Sequence, residues 1–180
     1  IKGNIQDGQT ALRIPLQRKE QLYGFGLNFQ TVHQRGKILN LHVDHYGGKD
    51  NGRTHAPVPF YVSSQGYGVF INSARYITVY AGSGSLKDSP NAPVAKDRNT
   101  DKSWSSRPYS DAVSILVPAP GTEIYLFAGP TPMDVVRRYN LFCGGGTLPP
   151  RWGLGFTQRT QKLYTAEQVK QEADEFERQG

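Results

Sequence analysis

The chain has 180 residues, a formal charge of +6 and a single cysteine, Cys143. That length can bury one good core and a fragment of another, and the lone thiol excludes an intrachain disulfide and any metal site built on thiolates. Lys and Arg are scattered, with Arg18-Lys19 and Arg137-Arg138 the densest pairs, so the basic stripe of a nucleic-acid binder is missing; no apolar run approaches the ~20 residues of a membrane span.

Taken in chain order, the sequence first reads as a series of short strands. Thr10 to Leu16 is a short strand closed by Pro15, and Leu22 to Leu27 alternates glycine with bulky residues, as where another backbone comes close. Lys37 to Val43 alternates and reads as a strand, running into a polar loop from Asp44 to Thr54. Pro59–Val62 and Tyr67–Ile71 flank Ser63-Ser64-Gln65-Gly66, the clearest hairpin in the chain, and Tyr76–Ala81 is expected to continue the meander. Residues 82–111 hold little apolar content and read as a surface loop or a weakly paired excursion. Ala112–Val117 and Glu123–Ala128 complete about seven strands with short connections, the pattern of an antiparallel sandwich.

The character changes at Gly129. Thr131 is set to cap a helix with Pro132 at its first position and Asp134 completing a Thr-x-x-Asp box, and Gly144-Gly145-Gly146 stops it. Pro149-Pro150 then leads into a strand through Phe156 in which Trp152, Leu154 and Phe156 share one side. A second helix runs from Thr165, capped with Gln168, to Gln179, with Val169, Ala173 and Phe176 as its stripe. One strand and one helix cannot cover their own apolar faces, so they imply parallel neighbours and an α/β unit that continues beyond residue 180. The expected division is a β-sandwich over 1–128, a linker helix over 129–148, and a first strand and helix over 149–180.

Phosphate-loop, nucleophile-elbow, zincin and paired-cysteine motifs are absent. Gly24-Phe25-Gly26 lacks the third glycine of a dinucleotide loop. His42 and Asp44 would share a strand face with His45 opposed, which does not make a metal site. Cys143, after a helix, reads as a small buried apolar residue. The Asp44–Thr54 loop is the polar candidate of the first domain, against the reading of a solvated hairpin tip. Gln158 and Arg159 follow the C-terminal end of the second domain's strand, where ligands meet parallel α/β folds. The helix carboxylates read as surface charges. The start, Ile1-Lys2-Gly3-Asn4, carries no apolar leader, and the compartment stays open between cytoplasm and outside.

Leu22-Tyr-Gly-Phe-Gly-Leu27, Arg35-Gly36, Asp44 and the run Pro59 to Asn72 resemble the N-terminal sandwich of glycoside hydrolase family 31. Ala128-Gly-Pro-Thr-Pro-Met-Asp-Val-Val136 and Leu148-Pro-Pro-Arg-Trp-Gly-Leu-Gly-Phe156 resemble that family's join to its catalytic (β/α)8 barrel. The resemblance implies a mainly β chain: a galactose-mutarotase-like sandwich followed by the first unit of a truncated barrel. It implies retaining hydrolysis of α-linked glycosides, of α-glucosidase or α-galactosidase type, by two carboxylates about 5–5.5 Å apart. Those acids match nothing here, so the catalytic set in this chain is empty, no cofactor is implied, and the chain alone is expected to be inactive. Asp44 would reach the substrate from a sandwich loop, and Gln158 and Arg159 from the first barrel loop. The implied partners are a glycoside or oligosaccharide and the rest of the barrel. The rival is a free-standing sugar-binding sandwich, whose aromatic rings would stack on sugar faces.

Overall fold

The computed structural model describes residues 1–28, 31–43, 54–83, 109–158 and 162–180. They form two compact units, Ile1–Gly145 and Gly146–Gly180.

The described residues of the first unit form nine strands and a helix: β1 Lys2–Gln6, β2 Gln9–Pro15, β3 Leu22–Gly24, β4 Lys37–Leu41, β5 Phe60–Ser63, β6 Tyr67–Asn72, β7 Ile77–Ser83, β8 Tyr109–Val117, β9 Glu123–Ala128 and α1 Pro132–Phe142. They make a five-stranded sheet in the order β1-β2-β8-β7-β4 and a four-stranded sheet in the order β3-β5-β6-β9. Every pairing between these named strands is antiparallel. The core lies between the sheets: Leu12, Ile14, Leu39, Val79, Val113 and Ile115 from the first meet Leu22, Tyr61, Val69 and Ile71 from the second. Alternation produces this directly, since β2 is buried at Thr10, Leu12 and Ile14 and open at Gln9, Arg13 and Pro15.

Three features differ from the sequence expectation. First, β1 is an added strand: Asp7 and Gly8, both at positive φ (50° and 73°), turn it back onto β2. An Asp-Gly pair favours that turn strongly enough to offset a strand whose residues are all exposed. Second, the meander stops at β6. β9 takes the free side of β6, while β7 crosses to the other sheet between β4 and β8. β7 is buried at six of its seven residues, so it needs cover on both faces, which a place beside β6 at a sheet end would not give. Third, Cys143 is exposed rather than buried, because α1 ends there. Residues 84–108, most of the expected excursion, lie outside the described residues.

The outer face of the four-stranded sheet carries α1. Thr131 caps it as the sequence indicates, its hydroxyl accepting from the Asp134 N–H at 3.2 Å and donating to the Asp134 carboxylate at 2.5 Å. That hydroxyl bond, helped by Arg137, holds the Asp134 carboxyl below its usual range. Val135 is fully buried against Phe60 and Val62, and Tyr139 stacks on Phe60 at 3.8 Å between ring centroids. Partial burial, with Cys143 nearby, pushes the Tyr139 phenol up to about 12. Gly68 makes the close approach possible: a Cβ there would stand 2.5 Å from Val135 Cγ1.

The second unit contains α2, Ala166–Gln179, with a complete capping box between Thr165 and Gln168. The strand expected through Phe156 is a 3-10 turn at Arg151–Leu154. A lone extended segment has no ladder to join, whereas a 3-10 turn satisfies its own carbonyls; Gly153 N–H bonds the Pro150 carbonyl at 2.9 Å. Trp152, Leu154, Phe156, Val169 and Phe176 are all exposed, and the main ring contact is Phe156 with Phe176 at 5.2 Å.

Candidate functional site

Asp44 and Arg159 lie outside the described residues, and Gln158 is exposed in the second unit. The described residues therefore do not bring the three together. The structure does show what flanks the Asp44 segment. Val43 forms a parallel bridge with Thr54, and the Thr54 N–H donates to the His42 carbonyl at 3.4 Å, so the chain leaves and rejoins the sandwich at one place. The His42 ring lies 3.9 Å from that of Tyr76. Thr54 is fully buried, and its hydroxyl donates to the Leu27 carbonyl.

Leu27 in turn belongs to a tight left-handed stretch. Gly24, Phe25 and Gly26 have φ of 111°, 62° and 95°. Glycine tolerates this; a bulky aromatic rarely does. Phe25 is held there by full burial, by stacking on Tyr61 at 5.0 Å and by its N–H bond to the Phe60 carbonyl at 2.8 Å. Gly24 has no room for a side chain, since a Cβ would stand 2.7 Å from the Phe60 carbonyl oxygen. The Leu27 N–H continues the seam to Ala56 at 3.1 Å. Asn28 closes the turn by donating to the Gly24 carbonyl at 3.0 Å.

A second polar centre was not foreseen from sequence. Glu20, in the β2–β3 connection, is 1% exposed. Its carboxylate accepts from the Ser63 hydroxyl and the Tyr67 hydroxyl, each at 2.5 Å, and from the Gln17 N–H at 2.7 Å. Arg35 braces the same loop by donating to the Gln17 and Glu20 carbonyls, both at 2.6 Å. Burial, followed by the bond to Glu20, raises the Tyr67 pKa, and burial with Tyr67 alongside raises that of Tyr61. Such a satisfied carboxylate ties a loop to a sheet. Nothing in the run Gln17-Arg18-Lys19-Glu20 separates it from a solvated turn; only the return of β5 and β6 places two hydroxyls beside it.

Among the described residues no group of three or more His, Cys, Asp or Glu could hold a metal ion, and no helix is long and apolar enough to cross a membrane.

The pattern that describes the glycosyl hydrolase 31 N-terminal galactose mutarotase-like domain matches residues 2–79, the span from β1 into β7. The likeness is to the N-terminal domain of glycoside hydrolase family 31, over residues 2–79. Its relatives include the α-xylosidase XylQ of Lactiplantibacillus pentosus, 26% identical over 136 residues, which are 76% of this chain and 15% of that protein. An α-xylosidase of Emericella nidulans is 27% identical over 83% of this chain and 16% of its own length. Among solved structures, a family 31 dextranase of Flavobacterium johnsoniae in complex with glucose shares the fold with a TM-score of 0.71 at 22% identity, over 98% of this chain and 19% of the dextranase. The chain thus spans less than a fifth of each of these three proteins.

Proposed function

We propose that this chain is the N-terminal part of a retaining α-glycosidase that hydrolyses O-glycosidic bonds of α-linked sugars, its catalytic acids lying outside residues 1–180. The observation that carries the reading is the family match over residues 2–79 on a two-sheet sandwich. The named activities of its relatives, α-xylosidase and dextranase, share the cleavage of α-linked glycosides. The uncovered Trp152, Phe156, Val169 and Phe176 support the second unit as the opening of a larger α/β layer that supplies their cover.

In this reading the sandwich positions the barrel and lends it a rim. Asp44 accepts hydrogen bonds from sugar hydroxyls, on a segment whose two ends are clamped at Val43 and Thr54. Gln158 and Arg159 belong to the first barrel loop. The two acids of a retaining enzyme stand about 5–5.5 Å apart, one attacking the anomeric carbon and the other protonating the leaving oxygen. No metal or cofactor is required.

The test is to express the complete protein and assay it against a panel of nitrophenyl α-glycosides. Turnover with retention of configuration is expected, and residues 1–180 alone should show none. Asp44→Ala should raise KM or lower kcat on the best substrate. Sugar binding by the complete protein without turnover of any α-glycoside would instead make the sandwich a binding module.

A further inference from the structure

Beside the Glu20 loop the sandwich carries a cleft of about 570 Å³, lined by Leu16, Arg18, Gln21, His33, Arg35, Ser110 and Asp111. Its chemistry is one-sided. Among the described lining residues Asp111 is the one carboxylate, and it pairs with Arg13 at 2.8 Å. The side chains of Arg18, His33 and Gln21 make no hydrogen bond or ion pair among the described residues. Arg35 is half-buried and spends one nitrogen, Nη1, on the Gln17 and Glu20 carbonyls. Those bonds fix its guanidinium, and among the described residues the other N–H groups of the fork make no further bond. Leu16, buried at 8% exposure, provides an apolar floor.

Two arginines and a histidine around a concave site, with one guanidinium pre-set by backbone bonds, describe a site for an oxyanion. We infer that this cleft binds a compact oxyanion, a phosphate or carboxylate group, through Arg18, Arg35 and His33. The Glu20 loop is then the scaffold of a binding site as well as a fastening. Arg35 is set by the Gln17 and Glu20 carbonyls, and β2 runs from the cleft floor at Leu16 back to the Arg13–Asp111 pair. A phosphorylated or uronic-acid-bearing saccharide carries this group, and so does free phosphate. The inference does not depend on the glycosidase reading.

Calorimetric titration of the complete protein with inorganic phosphate, and separately with glucuronate, tests it. Saturable binding of at least one is expected by about 10 mM. Arg18→Ala should weaken that binding by about tenfold, as loss of one charge-assisted contact does, with Arg18→Lys recovering part of it. Arg18 is exposed and pairs with nothing among the described residues, so its replacement tests binding without threatening the fold. Binding of glucuronate alone assigns the cleft to an acidic saccharide, and binding of phosphate alone to a phosphorylated one or to the free ion. No heat of binding from either probe, or binding that Arg18→Ala leaves unchanged, overturns the assignment. Loss of glycoside turnover in Arg18→Ala without loss of anion binding overturns it too, since the cleft would then serve the reacting sugar.

Discussion

Replacing Glu20 by alanine is the sharpest test of how the sandwich holds its loop. The wild-type carboxylate accepts three short hydrogen bonds while 1% exposed. Bonds to a charged group contribute about 1.5–3 kcal/mol each, but the buried charge offsets several kcal/mol of that sum through desolvation. Deletion leaves the Ser63 hydroxyl and the Gln17 N–H without their acceptor, at about 1–3 kcal/mol each. The Tyr67 hydroxyl, on a half-buried ring, recovers part of its loss from water. The net expectation is a destabilisation of about 4 kcal/mol. For a unit of this size, Ile1–Gly145, that lowers Tm by about 10–15 °C. Glu20→Gln keeps one acceptor but turns an amide donor toward the Gln17 N–H or the hydroxyls, so it should cost roughly half as much. Thermal unfolding followed by circular dichroism at neutral pH reads both. A Glu20→Ala protein melting within about 3 °C of wild type would refute the reasoning, because it would mean that burial of the charge cancels all three bonds.

Other outcomes follow from the same structure. Gly68→Ala should destabilise by about 1–3 kcal/mol, because its Cβ must displace Val135 of α1 or Phe60; equal melting temperatures would show that α1 shifts freely. Gly24→Ala should cost at least as much, since φ of 111° and the Phe60 carbonyl at 2.7 Å from the new Cβ both oppose it; urea midpoints compare the two. Tyr61 and Tyr67 have folded-state pKa values raised above the ordinary 10.0. The unfolded chain therefore releases their protons first, so their stabilisation is complete below pH ~10 and is lost as pH rises further. The fully buried Tyr61 alone contributes a slope of up to about 1.4 kcal/mol per pH unit there. Urea unfolding of wild type and Tyr61→Phe between neutral pH and pH ~11 should show the variant losing less with pH; parallel losses would remove the assignment. Thr131→Ala should cost about 1 kcal/mol through loss of the α1 cap, seen as a lower Tm.

Most of the strands could be read from the chain because their signals are local: Gln9–Pro15 alternates in burial, and Phe60–Ser63, Tyr67–Asn72 and Glu123–Ala128 are short apolar runs bounded by turn residues. Both helix caps could be read for the same reason. What could not be read is which sheet a strand joins. Ile77–Ser83 follows the β5–β6 hairpin by four residues yet pairs with β4 and β8, a choice set by burial on both faces and not by the link. Arg151–Leu154 shows the opposite limit, where an apolar pattern suited to a strand becomes a 3-10 turn when no ladder adjoins it. Among the candidate site residues, Asp44 rests on the family resemblance, and Gln158 and Arg159 on their place after the expected strand together with that resemblance; Asp44 and Arg159 lie outside the described residues, and Gln158 is exposed. Glu20 escaped notice because its acceptors' partners, Ser63 and Tyr67, stand over forty positions away.

The placement of β8 has a consequence for how the chain matures. It is the eighth strand made yet the middle stave of its sheet, with Thr10 opposite Val117 on one flank and Thr78 opposite Leu116 on the other. Until it leaves the ribosome, β1–β2 and β4–β7 are two separate ribbons with nothing between them. Assembly of that sheet must wait for a contact spanning more than a hundred positions, which makes folding slow. A nascent chain stalled before residue 109 would expose the flanks of both ribbons to any other strand it met.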